Sequence, residues 1–239
     1  MSAELFDFNI DTLRFSDALD KAENLIKKGK PAQVITINPE MFFEAEKNGE
    51  FASIIRNADM IIPDGVGVKI ALKINNVNSE RIPGIDFAEK LLQYASDNNW
   101  AVAVIGAKEE VLKKACENIR TKFHDINIVY ERNGYFNEDD LVYEELKESD
   151  PQLILVAMGS PRQEFFINEA KKLLERGLMV GIGGSLDVWS GNVQRAPKIF
   201  RMTGLEWLYR TISQPERFKR IFPALPLFLI KALKYRFFK

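Results

Sequence analysis

Six short apolar runs, rich in β-branched residues, recur along the chain: QVITIN (33–38), ADMIIP (58–63), WAVAVIG (100–106), INIVYE (126–131), QLILVAMG (152–159) and LMVGIGG (178–184). Between several of them the pattern changes to apolar residues three and four apart, as in GIDFAEKLLQYASDNN (84–99), EEVLKKACENIRTKF (109–123) and PRQEFFINEAKKLLERG (161–177). Continuous rather than alternating apolar runs predict strands buried on both faces. Strands that alternate with amphipathic helices predict an α/β, Rossmann-like fold with a mostly parallel sheet and helices on both faces. The helix over 161–177 carries its own boundaries: Ser160 as cap, Pro161 in the first turn, Glu164 as capping-box partner and Gly177 as terminator.

In such a sheet, ligands collect at the carboxyl ends of the strands. The polar residues and glycines fall there. Thr36, Asn38 and Pro39 end the first run, Asp64 and Gly65 follow the second, and Gly106 closes the third. GSPRQE (159–164) follows the fifth and GGSLD (183–187) the sixth. Glycines admit a ligand close to the backbone, and helix N-termini offer N–H groups to phosphate oxygens. By itself this pattern implies an α/β protein for a phosphorylated or nucleotide ligand.

PDGVGVKIA (63–71) lacks the third glycine of a dinucleotide fingerprint, and no phosphate-binding P-loop is present. The single histidine, His124, and the single cysteine, Cys116, support neither a metal site nor a Ser–His–Asp triad. Asp64 has two readings: a helix N-cap, or a general base among Thr36, Asn38, Arg81, Asp86 and Gln163 on comparable loops.

Charge divides the chain in two. Residues 195–239 hold 11 Lys and Arg against 2 Asp and Glu, a formal +9, whereas residues 1–194 carry −10 and the whole chain −1. Nine of the 26 aromatic residues also lie in those last 45 positions. The expected organisation is a catalytic core over 1–194 and a basic, aromatic, helical C-terminal appendage over 195–239. Such a tail suits an anionic partner, membrane or nucleic acid. No signal-peptide pattern opens the chain, and no run approaches the roughly 20 apolar residues of a spanning helix. The expectation is a cytoplasmic protein that associates peripherally with a membrane.

TINPE (36–40), PDGVG (63–67), RIPGID (81–86), MGSPRQE (158–164), GIGGSLDVWSGNVQRAP (181–197) and GLEWLYRTISQPERFKR (204–220) together resemble the WecG/TagA/CpsF family of bacterial glycosyltransferases. The resemblance spans roughly residues 10–222, with the blocks in the family's order. It implies transfer of a sugar from a UDP-sugar to an undecaprenyl-diphosphate-linked saccharide at the inner face of the cytoplasmic membrane, with inversion. In the TagA branch N-acetylmannosamine passes to undecaprenyl-diphosphate-GlcNAc, making the linkage unit of wall teichoic acid. Other branches use UDP-N-acetylmannosaminuronate or UDP-glucuronate. By this resemblance Asp64 is the general base, while Thr36, Asn38, Gln163 and Arg81 act with it on donor or acceptor. Gly106, Gly159, Gly183, Gly184 and Asp187 line the nucleotide pocket, and Asp86 and Arg195 are further substrate-binding residues. Arg210, Arg217 and Arg220 meet the lipid diphosphate or the departing nucleotide. Pro215 opens a further helix there, with Ser213 and Glu216 as its capping pair.

The sequence contains no Asp-x-Asp. The expectation is therefore metal independence, with no cofactor and with arginines and backbone N–H groups stabilising the leaving UDP. A tail released from the body also offers apolar surface for self-association into a homo-oligomer. Two rival classes leave the ordered blocks unexplained: a nucleotide-cofactor oxidoreductase on the same fold, and a nucleic-acid binder using the basic tail.

Overall fold

A computed structural model describes residues 1–137, 139–202, 206, 208, 209 and 215–238; for 202, 215–223 and 238 it describes the helix path alone. Among the described residues there are eight strands: β1 (Ser2–Leu5), β2 (Phe8–Asp11), β3 (Ala32–Ile37), β4 (Met60–Pro63), β5 (Ala101–Gly106), β6 (Asn127–Arg132), β7 (Leu153–Ala157) and β8 (Leu178–Gly181). The last six form one parallel sheet in the order β4-β3-β8-β7-β5-β6. These are the six apolar runs of the sequence.

Burial on both faces explains why those runs do not alternate. Val34, Met60, Val104, Leu155 and Val180 pack on one side, against the helices Phe15–Lys27, Gly84–Asp97 and Glu109–Lys122. Their neighbours Ile35, Ile61, Ile105, Val156 and Met179 face the other side. There they meet the helices Pro39–Lys47, Gly49–Arg56, Val66–Ile74, Asp139–Ser149 and Arg162–Leu173. Every residue of β4, β7 and β8 is buried.

The first eleven residues form an antiparallel hairpin outside the sequence expectation. Leu5, Phe8 and Ile10 bury its inner face, and Asp11 Oδ2 accepts from the Ile61 N–H at 2.9 Å. β4 is an edge strand, and this carboxylate occupies one of its outward donors. Lys21 closes the arrangement with a 2.7 Å bridge to Asp11 Oδ1.

The C-terminal helix runs from Pro215 to Phe238, straight through Pro223 and Pro226. Proline inside a helix removes a hydrogen bond and disfavours the preceding turn. Tertiary packing outweighs that preference. Phe228 and Ala232 are fully buried, and the Phe228 ring lies 4.9 Å from Phe42 and 5.6 Å from Phe6. Phe228 is thus part of the core, not of an apolar surface. Lys231 pairs with Glu46, Arg236 donates to Ile74 O at 2.6 Å and Tyr235 to Glu4 at 2.9 Å. Outward, the same helix exposes Leu227, Ile230, Leu233 and Phe237.

Candidate active site

The carboxyl ends of β3, β4, β7 and β8 open into a cleft of about 840 Å³. Thr36, Asn38, Asp64, Arg81, Gly159, Gln163, Gly183 and Gly184 all line it. A second hollow, about 220 Å³, lies among Ile26, Trp100, Gln152 and Arg176 at the amino ends of the strands, and contains none of the expected site residues.

Each polar side chain is held by the element it terminates. The Asp64 N–H donates to Ile37 O at 2.9 Å, so its backbone extends the sheet by one residue beyond β4. Gly65, at φ +83°, occupies the N-cap of the helix Val66–Ile74, so the cap position falls one residue after Asp64. The Asp64 carboxylate stands half-buried in the cleft wall. Asn38 does cap. Its Oδ1 accepts from the N–H groups of Glu40 and Met41 at 3.0 and 3.2 Å, which turns its Nδ2 away from the helix start. Thr36 donates its hydroxyl to Gly181 O at 3.3 Å, bracing β3 against the end of β8.

Gln163 is 4% exposed, and its Oε1 accepts from the Gly183 N–H at 3.1 Å. Arg81 reaches the cleft, but Glu206 engages its guanidinium at 2.7 Å. The capping box expected at 160–164 does not form. Pro161 holds the cap position without a side-chain bond, the helix runs over Arg162–Leu173 with Leu174 rather than Gly177 at its end, and the Glu164 carboxyl turns to Gln163 instead. Burial pushes that carboxyl up from its ordinary value, while contacts with Gln163 and Ser160 pull it the other way.

Four expected residues lie outside the cleft lining. Asp86 and Arg195 pair at 2.6 Å, fastening the segment after Gly191 to the first turn of the helix Gly84–Asp97. Asp187 sits on the short helix Ser185–Trp189, where its carbonyl accepts from Val193 N–H and the Ser190 hydroxyl. Gly106 answers a packing need: a Cβ there would stand 2.2 Å from Ala157 O. Arg210 lies outside the described residues, as do Ser213 and the side chains of Arg217, Arg220 and Glu216. Cys116 is buried and its thiol is pushed up to about 12, which leaves it unreactive.

The sequence reading missed one wall altogether. Glu40, Phe43, Glu44 and Lys47 share a face of the helix Pro39–Lys47 and line the cleft. Their spacing of three and four residues in PEMFFEAEK carried that signal. Ala224, Leu225 and Leu227 of the C-terminal helix also line it, so apolar surface borders the polar floor.

A model of the glycosyl transferase WecG/TagA/CpsF family matches residues 3–239. The N-acetylglucosaminyldiphosphoundecaprenol N-acetyl-beta-D-mannosaminyltransferase of Bacillus spizizenii is 36% identical over 211 residues, 88% of this chain and 82% of its own length. The protein of the same name from Bacillus subtilis strain 168 is 34% identical over 227 residues, 95% of this chain and 88% of its own.

Proposed function

Because the chain belongs to the WecG/TagA/CpsF family of glycosyl transferases, we propose that it moves N-acetylmannosamine from UDP-ManNAc to undecaprenyl-diphosphate-linked GlcNAc. The observation that carries this reading is the match, over most of both chains, to two mannosaminyltransferases of that acceptor. By the resemblance, the product is the linkage unit of wall teichoic acid.

Asp64 is the general base. Its carboxylate takes the proton of the acceptor hydroxyl as that oxygen attacks C1 of the donor sugar. A C1–O bond forms to the acceptor, the C1–O bond to the diphosphate breaks, and UDP leaves with the electron pair. One base and a stabilised leaving group suffice for such an inverting step, without a covalent carboxylate partner. The positions of Thr36, Asn38 and Gln163 around the same cleft support their part in holding donor or acceptor. The reaction proceeds without a metal ion, and cationic side chains with backbone N–H groups meet the diphosphate. Arg210, Arg217 and Arg220 supply part of that charge from the tail.

The enzyme works as a peripheral protein on the inner membrane face. No helix among the described residues is long and apolar enough to cross a membrane. The outward residues Leu227, Ile230, Leu233 and Phe237, three and four positions apart with Lys234 beside them, supply an apolar stripe with a cationic flank. Leu227 belongs both to that stripe and to the cleft lining, so a lipid-linked acceptor and the active site meet at one edge.

The test is UDP release from UDP-ManNAc, UDP-N-acetylmannosaminuronate and UDP-glucuronate, each with a short-chain prenyl-diphosphate-GlcNAc, with and without EDTA. The expected result is acceptor-dependent release from UDP-ManNAc alone, at the same rate in EDTA. Turnover only with a uronate donor would reassign the substrate, and loss of turnover in EDTA would overturn metal independence.

A further inference from the structure

Glu164 has no assigned role in this reaction, yet its surroundings are hard to explain by packing. It is 3% exposed, and its Oε2 has no hydrogen-bond partner. A buried carboxyl with an unmet oxygen lowers stability, so an apolar side chain would serve the core better. The helix start gives no reason either, because Pro161 holds its cap position without a side-chain bond.

The Glu164 carboxyl touches Gln163, with Ser160 as its other side-chain neighbour. Its Oε1 accepts from Gln163 Nε2 at 2.7 Å. On the other side of the same amide, Oε1 of Gln163 accepts from the Gly183 N–H at 3.1 Å. A backbone N–H can only donate, so it decides which end of the amide is oxygen, and the nitrogen must then face Glu164. The space is kept for this pair. A Cβ built on Gly181 would lie 2.5 Å from Gln163 Nε2 and 3.2 Å from Glu164 Oε1. Glu164 is itself anchored through its main chain, whose carbonyl accepts from Gln33 Nε2 at 3.3 Å.

We propose that Glu164 is a positioning residue of the transfer reaction: its buried carboxyl and the Gly183 N–H clamp the Gln163 amide in one orientation. The clamped amide keeps one N–H and one oxygen lone pair for the cleft. That combination fits a group that both donates and accepts, a sugar hydroxyl or the acetamido group of an N-acetylated sugar. The inference rests on the glycosyl-transfer reading. Glu164 acts through Gln163 and does not meet the substrate.

The experiment compares Glu164→Leu, Glu164→Gln, Gln163→Ala and the Glu164→Leu/Gln163→Ala double variant as full-length proteins. It measures kcat and KM by UDP release and UDP affinity by calorimetry. Glu164→Leu is expected to lose about 100-fold in kcat through a misaligned amide, with UDP affinity unchanged. Glu164→Gln keeps an acceptor oxygen at the same place and is expected to stay within about threefold of wild type, since the Gln163 bond survives. The double variant should be no slower than Gln163→Ala, because a clamp is worthless without the group it holds. Wild-type kcat in Glu164→Leu, a Glu164→Gln variant as slow as Glu164→Leu, or additive losses in the double variant would each overturn the proposal. Should Glu164→Leu fail to fold, Glu164→Met, unbranched and of similar length, carries the same expectation. Wild-type turnover with each donor tests the functional reading separately, while the variant ratios test Glu164 with whichever UDP-sugar is turned over.

Discussion

Arg81 Nη2 donates to Glu206 Oε2 at 2.7 Å, and the two side chains are only 14% and 7% exposed. The pair joins the loop before the helix Gly84–Asp97 to the segment that leads into the tail. Arg81 Nη1 adds a 3.4 Å contact to Arg201 O, while its Nε is buried without a partner. Removing Glu206 therefore leaves a guanidinium buried beside too few acceptors. Glu206→Ala is expected to cost about 3 kcal/mol, read as a lower urea midpoint at unchanged slope. The double variant Arg81→Ala/Glu206→Ala should recover part of the loss, since no charge is then stranded. An unchanged midpoint in Glu206→Ala would show that water screens the pair.

Asp64 stands at the end of β4 with its main chain fixed by the bond to Ile37 O, and Gly65 holds the cap position of the following helix. Asp64→Asn keeps the shape and removes the basic oxygen. The expected outcome is a loss of kcat of about 10²–10⁴-fold with UDP affinity within about twofold of wild type, because the base meets the acceptor proton rather than the nucleotide. Single-turnover rates and calorimetry measure the two quantities separately. Turnover near the wild-type rate would remove Asp64 from the base role.

The parallel sheet was legible because burial on both faces writes itself as uninterrupted apolar runs, and all six strands fall where QVITIN through LMVGIGG stand. Most of the cleft was legible too, since Thr36 stands near the end of a strand and Asn38, Asp64, Gly159, Gln163 and Gly183 each follow one. Three features were not. The hairpin Ser2–Asp11 pairs only with itself and packs as an edge cover, so no repeated pattern announces it. Glu164 sits at capping-box spacing from Ser160, and spacing cannot tell a cap from a carboxyl turned sideways onto its neighbour. Phe228 and Leu227 are adjacent in an apolar run, yet one is fully buried and the other 56% exposed. Only the way the helix faces the body distinguishes them, and an apolar run on a helix does not by itself say which side is turned inward.

Gly67 marks how closely the C-terminal helix lies on the body. A Cβ there would come within 2.6 Å of Leu225 Cδ1 and 2.7 Å of Pro39 Cγ. Gly67→Ala forces one of these neighbours to move, and overpacking of this kind costs about 1–3 kcal/mol. The expected result is faster proteolytic release of the C-terminal helix, with the sheet still protected in hydrogen exchange. Gly67→Ala/Leu225→Ala removes the nearer collision and should slow that release again. Equal proteolysis in Gly67→Ala and wild type would mean that the helix contact is already loose.

The exposed stripe of the same helix can be altered without touching the core. Ile230 and Leu233 are 51% and 45% exposed, so Ile230→Ser/Leu233→Ser should leave the urea midpoint unchanged. If the stripe enters a bilayer, the two changes remove apolar area worth at least about 1.4 kcal/mol, a tenfold or greater fall in partitioning. Co-sedimentation with vesicles containing anionic lipid measures this directly. Partitioning equal to wild type would place the membrane contact elsewhere on the chain.

Glu164 also predicts how stability depends on pH. Burial raises its carboxyl above the ordinary 4.5, the largest of the influences on it. A raised carboxyl binds its proton more tightly in the folded chain than in the unfolded one. Its contribution is therefore fully present below about 4.5. It is lost as pH climbs from there through the folded value, because the unfolded chain releases the proton first. Glu164→Gln has no proton to release and escapes that loss. Relative to wild type, the variant should gain stability as pH rises above about 4.5, and the gain should level off once the wild-type carboxyl has ionised. Urea unfolding at several pH values gives the difference directly, and Asp17→Asn supplies a control of opposite sign below pH 3.8, because the Arg14 bond holds the exposed Asp17 below its ordinary value. A Glu164→Gln difference independent of pH would show that the carboxyl keeps its ordinary acidity, and that water reaches the clamp around Gln163.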